Sequence, residues 1–231
     1  MLRRAIGFVF LMAVGIALGQ EPGAAPARAA RAGRGEPAGP PRPPLFFREE
    51  WKQPANAPEH PVTAEATGNP NLELKLYGDG KNIQETGAEG NPGNPIHLWT
   101  GLCTANCAAT LRDKENFVDL TGIAKIRWIT KVSGFHQVHP VIKLADGTML
   151  VGDHADGSTG DWLQSEFLLS EVHWLRLDPE KVVTHGTIVQ KPDLSKVDEV
   201  GFTDLSPGSG HGQGGWSDVA AIEVYGKPVK R

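Results

Sequence analysis

Between clusters of Gly, Pro, Asn and Asp, apolar residues in this chain return at every second position. The runs are LELKLY (72–77), PIHLW (95–99), AATLR (108–112), IAKIRWITKV (123–132), VHPVIKLA (138–145), TMLVGD (148–153), EVHWLRLD (171–178), VDEVGFTDL (197–205) and VAAIEVY (219–225). A period of two puts alternate side chains on opposite faces of a strand, and no segment keeps the 3.6-residue period of a helix for three turns. In the clearest run Ala124, Ile126, Trp128, Thr130 and Val132 share one face and Lys125, Arg127 and Lys131 the other, as in a strand with one face in a core. These constraints predict an all-β chain, a two-sheet antiparallel β-sandwich of jelly-roll type.

The start of the chain has a different composition. Leu2-Arg3-Arg4 is basic, Ala5 to Gly19 is apolar, and Ala17-Leu18-Gly19 offers small residues before a cut, so 1–19 reads as a signal peptide. Its apolar run is shorter than the ~20 residues of a membrane-spanning helix, which predicts an exported protein, secreted or periplasmic, without a membrane span. Residues 20–44 contain Pro, Ala, Gly and Arg but no large apolar residue, and read as a disordered tether. Residues 45–231 are then one β-sandwich domain. Of 23 Lys+Arg, six precede Leu45, and of 27 Asp+Glu, two do; the domain keeps 17 against 25, a net charge of −8. An acidic domain without a basic stripe argues against nucleic acid as a partner.

The two cysteines, Cys103 and Cys107 in LCTANCA, are four apart. One turn through Thr-Ala-Asn brings their Cα atoms to roughly 6 Å, within disulfide range, and export favours the bond over a metal pair. Asp146-Gly147 reads as a two-residue hairpin turn that pairs Leu144 with Met149 and Ile142 with Val151. Continued, that register sets His139 opposite His154, where the two imidazoles either share a metal ion or lie on a hydrated sheet face. The next loop, GDHADGSTGDW, carries Asp153, Asp156 and Asp161 among glycines. It is open to two readings, a structural Ca²⁺ site or an ordinary Asp-Gly turn.

Motifs for a catalytic nucleophile or zinc site, GxSxG, HExxH and CxxC, are absent. Glu166, Glu171, Asp218 and Glu223 are candidate carboxylates for glycoside hydrolysis, which uses two about 5–9 Å apart. Trp162 and Trp216 lie in polar, Gly-rich connections, where an indole either stacks on a sugar ring or folds back to cap the sandwich. The last such connection, SPGSGHGQGGWSD (206–218), has no Lys-Ser or Lys-Thr after its glycines and leads into a strand, so it is not a phosphate loop. It reads as a mobile link able to carry His211, Gln213 and Trp216 to a ligand.

Three phrases, FVDLTGIAKIRWITKVSG (117–134), PDLSKVDEVGFTDL (192–205) and GGWSDVAAIEVYG (214–226), resemble the galactose-binding-domain-like jelly rolls, a superfamily that includes several carbohydrate-binding modules. The resemblance implies a jelly roll with a structural Ca²⁺ and ligand-contacting loops at one end or on the concave face, and it assigns no ligand residue here. PPLFFREEW (43–51) is similar to the opening of lectin-like secreted sugar hydrolases of the laminarinase and keto-disaccharide hydrolase types, whose catalytic motifs this chain lacks. The expectation is an exported, non-catalytic carbohydrate-binding module whose partner is a carbohydrate or cell-envelope polymer. A glycan-active hydrolase and a structural or protein-interaction module of the envelope are the alternatives.

Overall fold

The computed structural model describes residues 42–53 and 59–231. The signal-peptide reading, and the tether reading up to residue 41, lie outside the described residues. Sixteen strands follow one another among those described: β1 (Leu45–Glu50), β2 (Glu59–Pro61), β3 (Leu72–Gly78), β4 (Gln84–Thr86), β5 (His97–Trp99), β6 (Cys107–Asp113), β7 (Asn116–Asp119), β8 (Lys125–Ser133), β9 (Val138–Leu144), β10 (Met149–Gly152), β11 (Leu163–Leu168), β12 (Trp174–Asp178), β13 (Val183–Val189), β14 (Val197–Asp204), β15 (Trp216–Tyr225) and β16 (Lys227–Lys230). The helical content described is three single 3₁₀ turns, and no described helix is long and apolar enough to cross a membrane.

The strands form two sheets packed as a sandwich, the predicted fold class. The front sheet runs β11-β8-β15-β5-β4-β2, with β1 also on β15; the back sheet runs β13-β12-β10-β9-β14-β6-β3, with β7 on β14 and β16 on β7. Every ladder that builds them is antiparallel. β8 behaves as its pattern requires, with Ile126, Trp128, Thr130 and Val132 buried and the residues between them half-buried. Ile126, Trp128, Ile222 and Val224 of the front sheet meet Ile142, Leu150, Val200 and Phe202 of the back sheet in the main core. A smaller cluster of Ala108, Val141, Met149, Val151 and Leu177 lies on the opposite face of the back sheet, capped by the fully buried Val182.

β15 carries one extra residue. Val219 pairs with Thr130 and Ala221 with Ile129, which leaves Ala220 as a β-bulge. The bulge falls where β15 exchanges its other neighbour, β5 for Asp218 and Val219, and β1 from Ala221 onward. The Trp51 indole N–H donates to the Val219 carbonyl at this break (2.7 Å).

The hairpin register differs from the sequence expectation by one residue. Leu144 N–H donates to Thr148 O, Gly147 N–H donates to Leu144 O, and Gly147 adopts φ +87°, closing a three-residue loop in place of the two-residue turn. Met149 therefore faces Lys143, Leu150 faces Ile142 and Val151 faces Val141. Apolar patterning gave no warning, because Val141 and Ile142, and Leu150 and Val151, are consecutive apolar pairs that serve two different hydrophobic clusters. In the true register His154 is not opposite His139; Val138 instead bridges to Asp156.

Candidate functional site

The outward face of the front sheet carries a groove of about 270 Å³. On β5, His97 and Trp99 flank the inward Leu98 and so point outward together. Trp99 pairs with Asp218, which with Trp216 forms the equivalent i, i+2 pair at the start of β15. Thr86 of β4, Glu59 of β2, Asn94 and His211 complete the lining.

The Gly-rich connection forms one wall. It is pinned, where the sequence suggested a mobile link: Gly208 N–H donates to Cys103 O (2.7 Å) and Gly210 N–H to Gly101 O (2.8 Å). Two glycines are there for close approach. A Cβ on Gly208 would run into the Gly101 backbone, and one on Gly215 into the His136 ring. The docking turn, residues 100–103, is closed by Cys103 N–H donating to Thr100 O (2.9 Å) and is followed by the expected Cys103–Cys107 disulfide, with Cα atoms 6.4 Å apart. Beneath it the fully buried Asp204 accepts hydrogen bonds from Thr100 Oγ1 (3.1 Å), His136 Nδ1 (2.6 Å) and Ser217 Oγ (2.7 Å), tying together the strand ends that frame the groove.

Aromatic rings gather around the opening. His211 meets Trp99 edge-on with centroids 5.0 Å apart, and its Nε2 lies 2.8 Å from Glu59 Oε1. Trp162 meets His97 in the same way at 5.0 Å and donates its indole N–H to Gly93 O (3.3 Å). The Lys131 ammonium lies 5.9 Å from the Trp162 ring centroid.

The floor is Asp218, 5% exposed, whose Oδ1 has no hydrogen-bond partner among the described residues. Burial pushes its carboxyl up to about 7, against the pull of the Lys131 charge and the Trp216 indole N–H. His97 Nε2 stands 3.6 Å from this oxygen. Burial lowers the imidazole below its ordinary value, its hydrogen bond to the Pro95 carbonyl opposes that, and Lys131 adds to the lowering.

Of the residues singled out from sequence, Trp216 and His211 line the groove and Trp162 backs it through His97. Gln213 is exposed on the same loop and is not part of the lining. His139 and His154 lie outside the groove lining and are neighbours with separate ring partners: His139 Nδ1 is 3.2 Å from Gly152 O, while His154 stacks on Phe167 at 3.8 Å. The three loop aspartates have separate partners. Asp153 accepts from His173, Asp156 from Trp128 Nε1, Ser165 and Thr130, and Asp161 from the Trp162 backbone. Among the described residues no three His, Cys, Asp or Glu side chains come together as a metal site. Glu166 and Glu223 are bound up with Arg127 and Glu171 is exposed on a 3₁₀ turn away from the lining, which leaves Asp218 as the one of the four candidate acids that lines the groove. His97, Trp99, Thr86, Asn94 and Glu59 escaped sequence reasoning. The readable signal was a pair of i, i+2 motifs, HLW and WSD, each setting two binding-type side chains on one strand face.

No family model matches the chain, and no curated protein matches it. Among solved structures, the chain is similar to carbohydrate-binding modules and to domains of sugar-active enzymes. One is a family 11 carbohydrate-binding module from Clostridium thermocellum in complex with a β-1,3-1,4-mixed-linked tetrasaccharide, at 15% identity over 80% of this chain and 98% of that one, with a TM-score of 0.40. Another is a family 61 module in complex with β-1,4-galactotriose, at 11% identity over 67% and 88%, with a TM-score of 0.37. A third is a glycoside hydrolase family 43 arabinoxylan arabinofuranohydrolase from Bacillus subtilis, at 16% identity and a TM-score of 0.34, where the match covers 74% of this chain and 28% of that one. Likeness at this level carries no argument about ligand or activity.

Proposed function

We propose that the chain is an exported, non-catalytic carbohydrate-binding module whose ligand, a glycan of the cell envelope or its surroundings, lies in the groove of the front sheet. One observation carries the reading: Trp99, Trp216, His97 and His211 converge on a buried carboxyl whose Oδ1 is covered from solvent and has no protein partner. Indole faces stack on the C–H faces of sugar rings, while Asp218, His97, Asn94 and Thr86 supply the few directed hydrogen bonds that fix orientation. The disulfide supports export, since such bonds persist in oxidising compartments.

A glycan array followed by calorimetry on purified protein tests the proposal. Trp216→Ala should weaken the best ligand by about tenfold or more, a loss of about 1.4 kcal/mol, with an unchanged circular dichroism spectrum. The absence of any bound glycan over a broad panel, or full binding by Trp216→Ala, refutes it.

The raised Asp218 carboxyl also favours a second reading, a glycan hydrolase in which Asp218 is the general acid. Reducing-sugar release that disappears in Asp218→Asn would establish that reading, and binding without turnover would exclude it for the panel used.

A further inference from the structure

The floor of the groove lacks hydrogen-bond donors at one point. His97 Nδ1 lies 2.7 Å from the Pro95 carbonyl, which can only accept, so Nδ1 bears the proton and Nε2 of the neutral ring presents a lone pair. Asp218 Oδ1, 3.6 Å away and without a partner, is a second acceptor. With no ligand, a proton on Asp218 is the simplest occupant of the space between them, in keeping with a carboxyl held up to about 7. The charged groups around the pair are Lys131 from β8 and Glu59 from β2, and the His211 ring faces them from the Gly-rich wall.

We infer that this pair is a subsite for a protonated primary amine, an amino sugar without its acyl group, whose ammonium donates to Asp218 Oδ1 and His97 Nε2 together. The inference rests on the carbohydrate reading and narrows it. A nitrogen at an ordinary ~2.9 Å from each acceptor reaches both across a 3.6 Å gap. A single hydroxyl or a secondary amide carries one hydrogen and satisfies one acceptor. A uronate or sulfate would set its negative charge against Glu59 and offer no hydrogen to His97 Nε2. The indoles of Trp99 and Trp216 attract a cation, which offsets the opposing Lys131 charge that bears on both Asp218 and His97. Binding exchanges one positive species for another: the ammonium enters and the Asp218 proton leaves to solvent.

The test is calorimetry on the full domain at pH 6.5 with three β-1,4-linked oligosaccharides of one length, carrying a free amine, an N-acetyl group or a hydroxyl at C2. The amine series should bind at least tenfold more tightly than the other two. Titration in two buffers of different ionisation enthalpy should show net proton release in the wild type and none in Asp218→Asn. In that variant the three oligosaccharides should bind with equal affinity, whatever its overall level; His97→Gln, which offers a donor to Asp218, should also erase the preference. Equal affinity for all three refutes the amine subsite and leaves the carbohydrate reading standing. An amine preference that survives in Asp218→Asn also refutes it, since the net acidity of the domain would then account for the attraction. No binding by any of the three overturns the amine subsite, and the broad glycan panel then decides the carbohydrate reading by itself.

Discussion

Replacing Asp218 by Asn should stabilise the domain in mildly alkaline solution and do much less in acid. The folded carboxyl titrates at about 7, against an ordinary value of 3.8. Between these values the folded state holds a proton that the unfolded chain has lost. Stability from this group therefore falls as pH rises through that window and levels off above about 7. Three pH units at about 1.4 kcal/mol each give a penalty of roughly 4 kcal/mol at pH 8, which the uncharged amide does not incur. In a domain of this size that corresponds to a midpoint higher by roughly 10 °C. Urea unfolding followed by tryptophan fluorescence at pH 5 and pH 8 measures the difference. The variant should gain at pH 8, with a gap over the wild type about two to three times that at pH 5. Glu49, which burial also raises to about 7, leaves a residual fall with pH in both proteins. A gap of the same size at both pH values, or a variant less stable at pH 8, would show that Asp218 is ionised and partnered in the folded state, and the electrostatic description of the groove would be wrong.

Three further outcomes follow from the fold. Converting Cys103 and Cys107 to Ser removes a crosslink over a very short loop and should cost roughly 2 kcal/mol, read as a melting midpoint lower by several degrees; an unchanged midpoint contradicts it. Calcium held by Asp153, Asp156 and Asp161 would raise the midpoint over that of a chelated sample. Coincident melting curves would rule out that site. Asp204→Ala strands three buried donors, from Thr100, His136 and Ser217, and should cost about 3 kcal/mol or more in denaturant unfolding. A cost below about 1 kcal/mol would mean that the network does not hold the strand ends.

The architecture was legible wherever a strand has one wet face and one dry face, and β8 shows it best. It was illegible where both faces are apolar: Val141 and Ile142 serve two clusters, so alternation tolerated a register one residue out, and Gly147 with its positive φ decided the matter. The site was half legible. Trp216, Trp162 and His211 drew attention as large or polar groups in Gly-rich stretches, whereas Trp99 hid inside a short strand that reads as core. His139 and His154 are neighbours, but the directly opposed pairing came from the mistaken register. The Asp218 environment arises from three strands and a loop that meet in space and share no local sequence signal.

The extra residue at Ala220 makes β15 two strands in series with opposite phase. Strict alternation continued from Asp218 would have turned Ile222 and Val224 to the groove side; the insertion restores them to the interior. The segment before the bulge can therefore change its outward residues, and with them its choice of ligand, without altering which residues after it seal the sandwich. Deleting Ala220 alone would leave Val219 opposite Thr130 and Ala221 opposite Ile129 in an unbroken ladder, so Asp218 would keep its place on the groove floor and Ile222 its place in the core.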